Sequence, residues 1–308
     1  MTFEIQTGPA RRIIDAVLAG GEGLHAYVLV DGALLQTQNV AQRERWPTFA
    51  ALSLLANADL DAQAVGPLLF ELPLEDEGDE ADDGGIVWDA SSVIVSPLTL
   101  GALAAHLTPM LDVQLEQMDR TMLMRFFDPR VLPFWLDILP ADHVAWLARG
   151  VHGWIYRDAR RNLSVARIKA ACKAGELAAA ARFPLQLSQQ QEDDLLAACY
   201  PYTLLERLRS EFASLMQRVP LANQYDFVCE QLDRFRAHGE DSPASLLTWY
   251  ELALTYGPRF DELPAVQPMI AALDEGLDFA QALALVPPGE WARMQAETQP
   301  GIQTEAAN

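Results

Sequence analysis

Short apolar runs, each bounded by turn residues, dominate the first half of the chain. Ala26 to Val30 reads as a strand closed by Asp31-Gly32, a pair that suits a hairpin turn or a strand end, with the turn preferred. Pro67 to Leu72 has the mixed apolar content of a buried strand, and Val93 to Val95 resumes the sheet. Arg11 to Ala19, Phe49 to Leu55 and Pro97 to Leu107 read as helices, the first ended by Gly20-Gly21. Asp112 to Glu116 and Thr121 to Phe127 alternate apolar and polar positions on either side of Gln117 to Arg120, the pattern of a β-hairpin. In the second of these both faces are largely apolar, which predicts a central strand covered on two sides. Arg125 interrupts it, and a guanidinium there needs a carboxylate or carbonyl partner that spacing does not name. Asp128-Pro129 follows, with an acid where an N-cap belongs and proline at the first helical position.

Beyond Trp154 the pattern turns helical. Ser188 and Gln191 form a capping-box start for a helix through Cys199, and Pro201 opens another reaching Met216. Helices are predicted at Leu221 to His238, Pro243 to Tyr256, Ala265 to Asp274 and Phe279 to Leu285. Tyr225, Val228, Leu232 and Phe235 make one stripe, the core-facing side of an amphipathic helix. The predicted fold class is α+β: an α/β-like lobe with a mixed sheet and flanking helices over 1–156, an all-α lobe over 157–296, and a disordered tail over 297–308.

Charge changes this picture at two places. Between Glu75 and Asp83 seven of nine residues are acidic, ahead of Gly84-Gly85, so 75–85 reads as a mobile surface loop, with a lure for a basic partner as the lesser reading. Arg157, Arg160, Arg161, Arg167, Lys169 and Lys173 place six of the 22 basic residues at the start of the helical half, as candidate partner-binding positions. They are expected to pair either with the protein's own acids or with a partner. The net charge of −21 argues against nucleic-acid binding and suits a soluble protein or a basic partner. Neither a signal sequence nor an 18-residue apolar span is seen, so a cytoplasmic location without membrane insertion is expected. Cys172, Cys199 and Cys229, far apart and within helical patterns, read as buried thiols of a reducing compartment, and a structural zinc site is not expected.

A search for chemistry finds no GxSxG, GxxxxGK[ST] or HExxH. Gly20-Gly21-Glu22-Gly23 precedes a strand, where a dinucleotide loop follows one. Asp137, Asp142 and His143 could form a hydrolytic cluster, yet Pro140 and the surrounding loop favour capping roles. No catalytic residue, metal or cofactor is expected, and the protein is read as a non-enzyme.

Four segments occur in order: Tyr27-Val28-Leu29-Val30-Asp31-Gly32-Ala33, Gly66 to Leu72, Ser96 to Leu107, and Arg125-Phe126-Phe127-Asp128-Pro129-Arg130-Val131-Leu132. Together they resemble the N-terminal domain of the type VI secretion effector chaperones, adaptors of the Tap/TEC type long catalogued as a domain of unknown function. The resemblance covers roughly Ala26 to Trp154 and marks Asp31, Gly32, Arg125, Asp128, Pro129 and Arg130 as the signature of the fold. It implies a bacterial, non-enzymatic adaptor that binds a cognate toxic effector and helps load it onto the VgrG spike, directly or through the effector. An unrelated interaction or regulatory module, or a hydrolase with an unrecognised site, remains open.

Overall fold

The computed structural model describes residues 1–6, 9–37, 51–72, 86–117, 121–168 and 178–298. The acidic stretch 75–85, Lys169, Lys173, Cys172 and residues 299–308 of the expected tail lie outside them. Two compact units result, Met1–Cys199 and Tyr200–Asn308.

The first unit is built on a seven-stranded sheet in the order β1-β9-β8-β5-β2-β4-β3. Its strands are β1 (Thr2–Gln6), β2 (His25–Asp31), β3 (Leu52–Ser53), β4 (Pro67–Glu71), β5 (Ser91–Ser96), β8 (Gly153–Arg157) and β9 (Leu163–Arg167). Every neighbouring pair in it is antiparallel. Period-two alternation divides the side chains between two cores. Ala26, Val28, Val30, Val93, Val95, Ile155 and Val165 face the first helix, α1 (Ala10–Leu18), and its buried Ile13, Ile14 and Val17. Tyr27, Leu29, Ile94, Trp154 and Ala166 face the opposite way. There they meet α4 (Leu100–Leu107), α5 (Leu132–Ile138) and α6 (Ala141–Leu147). A second sheet, β10-β6-β7, joins that same core through Val113, Leu115, Leu185 and Leu187. In it β6 (Asp112–Leu115) runs parallel to β10 (Leu185–Leu187) and antiparallel to β7 (Thr121–Leu123). Polar groups buried in the large sheet are paired: Tyr27 donates to the Leu98 carbonyl at 2.6 Å and Trp154 to Ser92 at 2.8 Å.

Several sequence expectations change here. Asp31-Gly32 is not a hairpin turn: Gly32 opens the helix α2 (Gly32–Thr37), whose Leu34 N–H donates to the Asp31 carboxylate at 3.0 Å. Leu52–Ser53 is a strand within the stretch read as a helix, because it pairs with β4. The strand at Thr121 stops at Leu123, and it is an exposed edge instead of a covered centre. Apolar composition on both faces does not by itself require a cover. The change to helix also comes later than 156/157. Residues 153–167 form a β-hairpin in the large sheet, held between β5 and β1, so the compact units divide at 199/200.

Helix α7 (Gln189–Glu211) begins with the expected reciprocal Ser188–Gln191 bonds and continues unbroken through Pro201. The second unit is helical: α8 (Ala213–Met216), α9 (Gln224–Ala237), α10 (Pro243–Tyr256), α11 (Gln267–Asp274), α12 (Phe279–Leu283) and α13 (Pro288–Thr298). Val228, Leu232 and Phe235 of the predicted stripe are buried. Trp249 sits at the centre, with Phe260 4.7 Å and Phe235 5.7 Å away between ring centroids. Its indole N–H donates to Gln231, whose amide donates in turn to the Pro258 carbonyl.

Candidate functional site

The end of β2 and the chain after β7 meet in a four-residue charge network. Asp31 is fully buried, and its Oδ2 accepts from Arg125 Nη2 at 2.6 Å while Oδ1 accepts the Leu34 N–H. Asp128, 2 % exposed, accepts three hydrogen bonds from Arg130: the backbone N–H at 2.9 Å and Nε at 3.0 Å on one oxygen, and Nη2 at 2.8 Å on the other. Arg125 Nη2 lies 3.4 Å from the second Asp128 oxygen and so bridges the two acids. The arginine missing a partner in the sequence therefore has two.

Local chemistry explains the placement. Phe126 and Phe127 are buried on either side of the turn, Phe126 edge-on to Trp154 at 6.0 Å, and they anchor the segment while Arg125 points outward. Asp128 was expected to cap a helix starting at Pro129. Instead α5 starts at Leu132, Asp128 turns the chain by accepting from Arg130 two residues on, and its carbonyl accepts from Val131 and Leu132. Pro129 is buried in that turn. Gly32 is required for space: a Cβ there would collide with the Ala64 carbonyl oxygen, and its N–H donates to the Gly66 carbonyl at 3.0 Å.

The acids are turned inward and the bases outward. Side-chain exposure is 0 % for Asp31 and 3 % for Asp128, against 45 % for Arg125 and 27 % for Arg130. Buried carboxylates thus hold guanidinium groups at the surface in fixed directions. Cys199 lies within the field of this network: burial pushes its thiol up to about 11, Asp128 adds to the rise and Arg130 opposes it. Such a thiol is poorly nucleophilic at neutral pH.

Four of the six basic candidates, Arg157, Arg160, Arg161 and Arg167, lie among the described residues. Arg157 ends β8 and Arg167 ends β9, so they belong to the sheet and not to the helical unit. Arg161 pairs with Asp89 at 3.2 Å and Arg167 with Glu4 at 3.2 Å, while Arg160 is exposed beside the turn. Asp142 and His143 do meet, at 2.8 Å, but the other ring nitrogen of His143 lies 2.9 Å from the Arg182 carbonyl and the ring is buried. Both nitrogens are occupied, which leaves none for a substrate. Burial works to raise the Asp142 carboxyl, and the hydrogen bonds from His143 outweigh it and hold the group below its usual range.

In the second unit an open depression of about 490 Å³ is lined by His238, Glu240, Asp274, Leu277 and Asp278. Three of these side chains are engaged internally: His238 Nδ1 lies 2.7 Å from Asp274, and Asp278 accepts from the Ala280 N–H at 2.9 Å. Among the described residues no group of three or more His, Cys, Asp or Glu is placed to hold a metal, and no helix is long and apolar enough to cross a membrane.

A family model described as "Domain of unknown function (DUF4123)" matches residues 26–145. The matched stretch contains Asp31, Gly32, Arg125, Asp128, Pro129 and Arg130, and with them the whole charge network. No curated protein and no solved structure matches the chain. The chain is therefore similar, over that stretch, to a domain whose description states no activity.

Proposed function

We propose that the protein is a non-enzymatic adaptor of type VI secretion, which binds a cognate effector in the bacterial cytoplasm and promotes its loading onto the VgrG spike. The observation that carries this reading is the coincidence of the matched stretch with the network of Asp31, Arg125, Asp128 and Arg130, the residues on which the resemblance to effector chaperones rests. The occupied nitrogens of His143 are in keeping with a binding role. So is a surface where buried carboxylates hold guanidinium groups beside a thiol that keeps its proton.

The test is co-expression with the products of the neighbouring genes. A large toxin encoded beside the chain should co-purify with it, and VgrG should retain that toxin only when the chain is present. Failure to capture any neighbouring product, with the chain folded, would remove this reading.

A further inference from the structure

Strand β7 has features that its own fold does not use. It lies at the end of the three-stranded sheet, paired on one side only to β6. Met122 and Leu123 point to opposite faces, yet both are exposed, at 44 % and 46 %. An edge strand that is apolar on both faces is a template for another strand and is normally shortened, charged or covered. The direction of its free hydrogen bonds follows from the next residue. Met124 N–H donates to the Leu111 carbonyl at 2.6 Å, toward β6, so by alternation the Leu123 N–H faces away from the sheet.

Directly after the strand comes Arg125. Its Nη2 is held by Asp31 and Asp128, and among the described residues Nε and Nη1 have no partner. The cation is anchored on two buried carboxylates, is 45 % exposed, and follows the end of the open edge strand by two residues. Asp31 and Asp128 are both buried, so of this ion-pair group it is the guanidinium of Arg125 that reaches solvent.

We propose that the edge of β7 takes an extended segment of the effector by strand addition, with apolar side chains of that segment over Met122 and Leu123 and one of its carboxylates on Arg125. This rests on the adaptor reading. Backbone bonds supply affinity in this mode, and the side-chain contacts select the segment. A preorganised arginine selects a carboxylate with little loss of side-chain freedom.

The test uses the effector captured by the wild-type chain as the probe, with dissociation constants measured for Leu123→Pro, Met122→Asp, Arg125→Lys and a control, Leu60→Asp, at a residue 81 % exposed elsewhere. Proline at 123 removes only the outward N–H, so thermal stability should hold while binding weakens about tenfold or more. Met122→Asp should weaken binding similarly, Arg125→Lys by a few-fold because the Asp31 pair survives while the planar fork is lost, and Leu60→Asp not at all. Hydrogen exchange on the unaltered protein gives a second readout: the Leu123 amide should become protected only in the complex. If wild type captures the effector and the β7 variants bind equally well, or the Leu123 amide stays unprotected, this docking mode is wrong and the adaptor reading stands. If Leu123→Pro instead converts a dimer to a monomer without altering capture, the edge serves a second copy and the proposal falls. If wild type captures no effector, both readings fall together.

Discussion

Asp31 and Arg125 are 94 residues apart in the chain and 2.6 Å apart in the structure, one carboxylate with no exposure and one guanidinium nearly half exposed. The pair ties the end of a central strand of the large sheet to the segment that leaves the small one. Its strength lies between two limits: a charge-assisted bond contributes about 1.5–3 kcal/mol, and solvent access to the arginine reduces that toward the surface value of about 0–1 kcal/mol. Asp31→Asn should therefore cost about 1–2 kcal/mol, and Asp31→Ala more, since the Leu34 N–H then also loses its acceptor. A double-mutant cycle with Arg125→Met, which removes the cation, followed by urea unfolding, checks this. Additive losses would show that the two groups are not coupled.

Asp128 behaves as the base of an arginine turn. An asparagine keeps an acceptor for the Arg130 N–H but cannot hold the guanidinium with charge, so Asp128→Asn should cost about 1 kcal/mol and Asp128→Ala about 2 kcal/mol. A helix cap would give a different ranking, with asparagine close to neutral. Denaturation midpoints of the two variants separate these cases.

His106 should give the protein a pH-dependent stability. Its ring stacks on Trp146, with centroids 5.1 Å apart, and Nε2 is buried without a partner among the described residues. Burial lowers its basicity from the ordinary 6.5, the Leu147 and Trp146 backbone opposes this, and the charge of Arg149 reinforces it. Below pH ~6.5 the unfolded chain then binds the proton more readily than the folded one, so stability falls as pH drops from there toward the folded value. His106→Phe should show a shallower loss between pH 7.5 and 5.5 in thermal melts. Equal slopes for the two proteins would rule out this source.

Cys199 should be a slow thiol. With its proton held to about 11 by burial, the thiolate at pH 8 is scarce, and alkylation should run at least about tenfold slower in the folded protein than in urea. Mass spectrometry of iodoacetamide-treated samples gives both rates. Comparable rates would mean that the thiol is neither shielded nor shifted.

Much of the architecture could be read where local pattern and final burial agree. Pro243–Tyr256 was bounded by its own residues: Ser242 accepts from the Ser245 N–H, proline follows it, and Gly257 ends the helix at a φ of 105°. The strand over Ala26 to Val30 was equally legible, because its apolar residues serve two cores. The segment 157–173 was not, because clustered arginines suggest a helix face, while 163–167 is made a strand by pairing to β8 and β1. Tertiary pairing decided it. The same holds at the site: Asp31 and Arg125 were each conspicuous in apolar surroundings, but only the folded chain shows that the exposed guanidinium partners the buried carboxylate. The apolar pair Met122-Leu123 misled for a related reason, since composition alone does not separate a covered strand from an open one.

The large sheet also sets the smallest piece of the chain that can stand by itself. The stretch 26–145 contributes β2, β3, β4 and β5, whereas β1, β8 and β9 come from outside it. A protein trimmed to those limits would leave β5 as a raw edge, with Val93, Ile94 and Val95, now wholly buried, stripped of their neighbour β8. It would be sticky and prone to aggregate. The borders drawn by sequence similarity are thus narrower than the borders of cooperative folding, and a soluble truncation has to run from β1 through β10.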